Sequence, residues 1–420
     1  MSTSKYFDAL RAIAQPIRAA EMPRSLVPMR RLLDDLGSPQ KNFPSVVVTG
    51  SVGKGTTSHK IARLIQSASA GRQVGLFTGP HLHSFRERFR INGQMISQEA
   101  FVEAMSGVQQ AVSHLEFAYS TFEMATALAL RWFAQQKVNI AVLEVGIGGR
   151  WDAVNTVENV LAVFTPIERE HVAMLGGSLQ TIAWNKAGII QPGGWAVSTR
   201  QSPFVEDILT LEADQKRAKL LMTSYANLAS AACTLLAQNR FIPPLTPLAD
   251  ILVHQSEHLP GRLESHDVSG KKLLIDGGHT PSAAHYVRDF LESQFHTSDL
   301  PIRLIVGMLK DKSARDFLAA FDSLNFHVTL TTAPGHRALE PDALAVQANL
   351  QYATIEIIPD LKDALRRIET SSEIVVVVAG SLRMTAAARE FYGLLSPDEL
   401  EESRATRAIF EGEDYLSKLG

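Results

Sequence analysis

One cysteine, Cys233, stands in 420 residues, which excludes an internal disulfide framework and any Cys-based zinc site. It sits in an Ala-rich helical pattern, Asn227 to Gln238, and reads as a buried, inert thiol. Long apolar runs are missing too. The longest obvious one, Ile374 to Ala379, falls far short of the ~20 residues a membrane helix needs. Neither sign of charge dominates, since 41 Lys and Arg against 44 Asp and Glu leave a net charge of −3. Bulk electrostatics therefore favour neither nucleic acid nor an anionic membrane as partner. The densest basic stretch, Arg86, Arg88 and Arg90, alternates with Glu87 and aromatics and reads as a solvated loop or strand face. Residues 1–20 lack an apolar signal core, so no signal peptide is expected. The expectation is a cytoplasmic monomer.

What is present is organised around Val46-Val47-Val48-Thr49-Gly50-Ser51-Val52-Gly53-Lys54-Gly55-Thr56-Thr57. A β-branched run stops at glycines, a lysine and two threonines, and a helical segment, Ser58 to Ala70, follows. That strand–loop–helix order is the context a phosphate-binding loop requires. Glycines let backbone N–H groups approach phosphate, the helix presents its positive end, and Lys54 adds a point charge. The spacing is G-x-x-G-K-G-T-T rather than G-x-x-x-x-G-K-[ST].

The length predicts two domains. Residues 5–40 read as a helical lead-in broken at Pro16. Strands are expected over 73–78, 139–145 and 160–165, and helices over 98–112, 122–136 and 179–188, with a tight turn at Asn92-Gly93. Pro243-Pro244, Pro247 and Pro260-Gly261 mark a boundary, after which strands at 272–276, 303–308, 327–332, 354–358 and 373–380 alternate with helices. The fold class is α/β, with two doubly wound domains and a charged tail, Asp398 to Leu419, as a surface helix. Ligands bind at the carboxyl ends of parallel strands. There stand Thr49–Thr57, Glu144–Asp152 and Glu168–His171.

Oxygen-rich magnesium sites on phosphates take few protein ligands, and Thr56 and Glu144 qualify, with His171 for a second ion. Taken singly, each has a plainer reading. Thr56 is a helix cap, Glu144 an ion-pair partner of Arg150, and His171 a core or surface histidine. Lys186 is an amphipathic-helix lysine, Arg262 a linker arginine, and Asp276-Gly277-Gly278-His279 a polar strand-to-helix turn that could also meet the nucleotide.

Together the segments resemble the folylpolyglutamate synthase/dihydrofolate synthase family within the wider Mur ligase group. The resemblance rests on the Thr49–Thr56 loop, on Pro80-His81-Leu82 with Arg86-Glu87-Arg88 and Ile91-Asn92-Gly93, and on the block Leu143 to Asn155. It continues through Glu170-His171, Lys186-Ala187-Gly188-Ile189, Pro260-Gly261-Arg262-Leu263-Glu264, Asp276 to His279, Gly307 to Lys312 and Gly380-Ser381-Leu382. It implies a P-loop ATPase-like, Mur-ligase-type domain over 1–258 and a smaller Rossmann-like domain over 259–420. The implied activity is ATP-dependent amide formation through an acyl phosphate, joining a dihydropteroate-like or folate acid to L-glutamate.

The implied nucleotide contacts are Gly50, Gly53, Lys54, Gly55, Thr56, Thr57, Asn227, Arg262 and Asp276. Thr56, Glu144 and His171 would hold Mg²⁺, as one ion or two. Lys54, Lys186, His171 and His279 would be catalytic, with Lys186 carbamylated, and Arg86, Arg150, Asp152, His279 and Ser381 would meet substrate. Departures stand at Val52 for Asn, Gly79 for Ser, Glu170 for Asp, Gly278 for Ala and Thr280 for Asn, and the His-Gln ahead of Asn227 is absent. A paralogue joining another acid and amino acid, or a nucleotide-binding relative with reduced activity, is the alternative.

Overall fold

Two runs of valine, Val46–Val48 and Val375–Val378, form the middle of two separate sheets. A computed structural model of the chain describes residues 2–14, 25–69, 71–246, 259–295, 301–322, 324, 326–348, 354–370 and 372–411. Pro16, Pro247, residue 258 of the expected 258/259 boundary and positions 412–419 of the expected tail helix lie outside the described residues. The chain divides into two compact units, Met1–His81 with Phe85–Ser256, and Leu82–Ser84 with Glu257–Gly420.

The strands described in the first unit are β1 Ser45–Thr49, β2 Val74–Phe77, β3 Phe89–Ile91, β4 Gln94–Met95, β5 Ile140–Glu144, β6 Leu161–Phe164, β7 Trp195–Thr199 and β8 Lys219–Thr223. They pair in the order β4-β3-β2-β5-β1-β6-β7-β8. From β2 to β8 the pairing is parallel, and the β3–β4 hairpin adds an antiparallel edge. Asn92 and Gly93 turn that hairpin with φ of 49° and 80°, the left-handed pair that Asn-Gly adopts readily.

Every residue of β1 and β5 is buried, because helices cover both faces of a parallel sheet. On one face Ile61, Leu64 and Ile65 of helix Lys54–Ala68 pack with Leu228, Ala232 and Leu236 of helix Leu228–Gln238 against Val46 and Val48. Phe133, from helix Thr121–Gln135, lies 3.1 Å from where a Cβ on Gly75 of β2 would stand.

The second unit's described strands are β9 Glu264–Val268, β10 Lys271–Ile275, β11 Ile302–Val306, β12 Phe326–Leu330, β13 Thr354–Ile357 and β14 Val375–Ala379, in the order β13-β12-β11-β14-β10-β9. All pairs are parallel except β9 with β10. The expected α/β architecture is thus present in both units. Strands β7, β8 and β9 were not anticipated. β7 mixes Trp195 and Ala196 with Ser198 and Thr199, while β8 and β9 are edge strands whose exposed positions break the apolar pattern.

The tail helix, Pro397–Glu411, departs from the expected surface helix by burying Glu402, Ser403, Thr406 and Arg407. Its inner face, with Arg389 of helix Leu382–Phe391, takes hold of His83 and Ser84. Ser84 donates to Glu402, His83 Nδ1 lies 3.0 Å from Ser403 Oγ, and Arg389 Nε donates to His83 Nε2 at 3.1 Å.

Phe133 is fully buried and meets Phe43 edge-on, with ring centroids 6.1 Å apart. Phe133→Ala should cost about 3–5 kcal/mol of stability. Thermal unfolding of the variant checks this, and an unchanged Tm would contradict it.

Candidate active site

Thr49 closes β1 by donating its hydroxyl to Gly148 O at 2.7 Å. The chain then turns at Gly50 with φ of 148°, where a Cβ would stand 1.9 Å from Thr165 Oγ1. At Gly53, φ is 78° and a Cβ would stand 2.0 Å from the Tyr225 hydroxyl. Both glycines are therefore demanded by conformation, and Gly50 by space as well. Between them Ser51 is stitched to the segment after β6. Its N–H donates to Pro166 O at 2.7 Å, its hydroxyl donates to Glu168 O at 3.1 Å, and that hydroxyl accepts Glu168 N–H at 3.0 Å. Helix Lys54–Ala68 opens directly from Gly53 with no side-chain cap. Its first-turn N–H groups thus suit a phosphate.

Two ammonium groups converge behind this loop. Lys54 Nζ donates to Gly50 O at 3.0 Å, and Lys186 Nζ donates to the same oxygen at 2.6 Å. Glu170 joins both, with Oε1 3.3 Å from Lys186 Nζ and 3.8 Å from Lys54 Nζ, while its Oε2 lies 3.9 Å from His171 Nε2. Lys186 is 1% exposed, so it is no amphipathic-surface lysine. Burial and then the charge of Lys54 lower its pKa to about 8, against the opposing pull of Glu170. Burial alone would raise the Glu170 carboxyl, but Lys54, Lys186 and His171 outweigh it and hold the group below its ordinary range.

Glu144 ends β5, is 4% exposed, and accepts Gly79 N–H on Oε2 at 3.0 Å. Gly55, in the first turn of the loop's helix, places its would-be Cβ 3.5 Å from that same oxygen. Thr56 and the buried Thr57 belong to this turn. His171 follows β6 in a left-handed conformation, φ 49°, ahead of the short helix Val172–Leu175. Lys54, Thr56, Glu144, His171 and Lys186 all stand beyond the carboxyl ends of β1, β5 and β6 or on the helix behind them. Among the described residues no three His, Cys, Asp or Glu side chains form a preformed metal cage.

The other singled-out residues of this unit make their hydrogen bonds away from the two lysines, although the Asp152 charge reaches both. Asp152 is buried and organises its own loop, accepting N–H groups of Gly146, Ile147 and Val154 at 3.0–3.1 Å. Arg150 donates to Glu212 at 2.7 Å and to Trp184 O at 3.1 Å, with its guanidinium 4.1 Å from the Trp184 ring centroid. Arg86 donates to Ile96 O at 2.9 Å and lies over Tyr6. Asn227 is exposed and precedes helix Leu228–Gln238 without capping it through its side chain.

In the second unit Asp276 is the organiser. Its Oδ2 accepts Leu263 N–H at 2.9 Å and its Oδ1 accepts Gly278 N–H at 2.7 Å, tying the loop that holds Arg262 to the end of β10. A Cβ at Gly278 would stand 2.6 Å from Asp276 Oδ1, so this chain's glycine belongs to the tighter loop. Thr280 Oγ1 accepts Ala283 N–H at the start of helix Pro281–Phe295, taking a capping role. His279 Nδ1 lies 3.4 Å from Gly277 O, and Ser381 caps helix Leu382–Phe391 while donating to Gly307 O at 3.3 Å.

The Mur ligase middle domain family matches residues 48–234, and the glutamate ligase domain of Mur ligases matches residues 261–382. The folylpolyglutamate synthase of Lacticaseibacillus casei is 30% identical, covering 86% of this chain and 92% of its own length. The chain belongs to the folylpolyglutamate synthase/dihydrofolate synthase family. Among solved relatives, the Mycobacterium tuberculosis folylpolyglutamate synthase complexed with ADP matches with a TM-score of 0.83 and 28% identity, over 94% of this chain and 99% of that one. The bifunctional folylpolyglutamate synthase/dihydrofolate synthase of Yersinia pestis, complexed with AMPPNP and a Mn ion, matches with a TM-score of 0.77 and 25% identity, over 90% and 98%. Members of this family are ATP-dependent ligases.

Glu170, Thr165 and Tyr225 were not singled out in the sequence as residues shaping the loop. Only Glu170, an acid beside His171, carried a signal that could have found it.

Burial raises the Asp152 carboxyl from 3.8 to about 7, against three amide donors and Lys54. A carboxyl with a raised folded-state pKa contributes stability that is lost as pH climbs through that value. Wild-type stability should therefore fall between pH 3.8 and about 7 by a component that Asp152→Asn lacks. Denaturant titrations of both proteins across this range check it, and parallel curves would contradict it.

Proposed function

We propose that this chain is an ATP-dependent ligase that activates a dihydropteroate-like or folate carboxylate and couples it to the amine of L-glutamate. The observation that carries this reading is the pair of lysines on the Gly50 carbonyl, beside a glycine-framed helix start and Glu144. The Mycobacterium tuberculosis complex with ADP and the Yersinia pestis complex with AMPPNP and Mn support a nucleoside triphosphate and a divalent cation as companions.

In this reading the first-turn N–H groups of helix Lys54–Ala68 and the Lys54 ammonium hold the β- and γ-phosphates. Thr56, Glu144 and His171 offer a hydroxyl, a carboxylate and an imidazole. That donor set fits a hard cation drawing its remaining ligands from phosphate and water, which also explains why no protein-only cage is gathered. A divalent cation held there neutralises phosphate charge. Lys54 leaves Gly50 O for phosphate when the nucleotide arrives, and the chain's work is then positioning and charge neutralisation. Asp276 and Arg262 are assigned to the nucleotide with Asn227, and His279 and Ser381 to the incoming glutamate. Arg86, Arg150 and Asp152 are assigned to the acid substrate, the latter two through the loop they brace. The domain division is placed at 258/259, and the working form is a cytoplasmic monomer. No described helix is long and apolar enough to cross a membrane.

Lys186 is assigned as a carbamate. Burial beside Lys54 already weakens its ammonium form, so the neutral amine can take up carbon dioxide and release a proton. The product carries a negative charge, which turns a repulsion with Lys54 into an attraction.

Purified protein with ATP, Mg²⁺, L-glutamate and either dihydropteroate or tetrahydrofolate should release phosphate and yield a product heavier by one glutamyl unit, dependent on both substrates. Lys54→Ala should lower turnover by about 100-fold or more while the protein stays folded. An active variant would sink the loop assignment. Lys186→Ala should lose activity that bicarbonate with a short-chain carboxylic acid partly restores; full activity without rescue removes the carbamate.

A further inference from the structure

Gly79 follows β2 and its φ is not positive, so its backbone conformation does not call for glycine. Space does. A Cβ there would stand 2.6 Å from Arg88 Nη1 and 3.4 Å from Arg88 Cζ. The guanidinium thus occupies the volume that a side chain at position 79 would fill, and the family's usual serine would displace it.

Arg88 is aimed there by three contacts. Its carbonyl accepts Thr78 N–H at 3.0 Å, its Nε donates to His81 Nδ1 at 3.1 Å, and its guanidinium lies 5.0 Å from the Phe85 ring centroid. Among the described residues both Nη groups are left without a hydrogen bond. Burial lowers its pKa to about 10, with Glu144 and Glu87 opposing, so it remains a cation at neutral pH. A partly buried guanidinium with two undirected donor groups is costly unless an anion meets it. Glu144 stands close by, its Oε2 accepting Gly79 N–H at 3.0 Å, and Gly55 of the phosphate loop borders the same oxygen. Fork, carboxylate and loop therefore share one small region of the first unit.

We infer that Arg88 is a further catalytic residue whose two Nη groups meet the phosphoryl group as it passes from ATP to the substrate carboxylate, using the space that Gly79 leaves. This rests on the ligase reading above. In that step a carboxylate oxygen attacks the γ-phosphorus, and the bond to the β–γ bridging oxygen breaks. ADP leaves with the electron pair, and no proton moves. A fixed planar cation answers the charge spread over the transferring oxygens better than a lysine's point charge does.

The test begins with wild-type protein making a glutamylated product. If it makes none, the ligase reading fails and the Arg88 inference is not what failed. Given wild-type turnover, Arg88→Lys and Arg88→Gly should each lower kcat by about 100-fold or more. KM for ATP and ADP binding should stay near wild type, and added guanidinium ion should restore part of the Arg88→Gly activity. Gly79→Ala should lower kcat as well, because its Cβ expels the guanidinium without removing a donor. The inference is overturned by wild-type kcat in these variants, by a loss confined to KM for the acid substrate, or by a loss that guanidinium fails to rescue in protein that still binds ADP. Should the Arg88 variants fail to fold, Gly79→Ala decides alone.

Discussion

A buried and a part-buried lysine amine on one carbonyl oxygen are the constraint around which the first unit is built. Lys54 and Lys186 repel each other, yet Gly50 O and the Glu170 carboxylate hold both. The arrangement needs Gly50 bare of a side chain, Ser51 sewn to Glu168, and β1 and β6 adjacent so that the two loops meet. Remove any of these and a cation is left in a poorly solvated place, where an unpaired charge is far more costly than on the surface. Sheet order and site chemistry are in this sense one problem. The central strands β1 and β5 are buried throughout and bear no charge before the residue at their carboxyl end.

The same economy recurs in loops that no charge crosses. Asp152 gathers backbone N–H groups on both sides of it in one glycine-rich loop, and Asp276 ties Gly278 to Leu263 across the β9–β10 hairpin. Where the chain departs from the usual family residues, the structure supplies local reasons at three positions. Gly278 relieves a contact with Asp276, Thr280 caps a helix, and Gly79 yields its space to Arg88.

Much of this was open to inspection in the sequence. Val46–Val48, Ile140–Leu143 and Val375–Val378 announce buried parallel strands, and Asn92-Gly93 announces its turn, because local sterics and burial decide them. The strand–loop–helix around Lys54 was legible for the same reason. Edge strands β8 and β9 were not, since half their residues face outward and obey no apolar rule. Nor could spacing show that Lys186 is buried against a carbonyl 136 positions earlier, or that Arg88 returns to position 79. Those facts belong to tertiary packing, and the one-dimensional pattern around each residue resembles that of many surface lysines and arginines.

Residues 82–84 fold with the second unit although the chain on both sides of them folds with the first. His83 and Ser84 satisfy Ser403, Glu402 and Arg389, all of them largely buried. The gene therefore has no single point at which it can be cut into two self-sufficient halves. A fragment ending near residue 258 would carry His83 and Ser84 with nothing to receive them, and the complementary fragment would keep Arg389, Glu402 and Ser403 each short of one partner that is encoded elsewhere. The two units are distinct as compact bodies and inseparable as stretches of sequence.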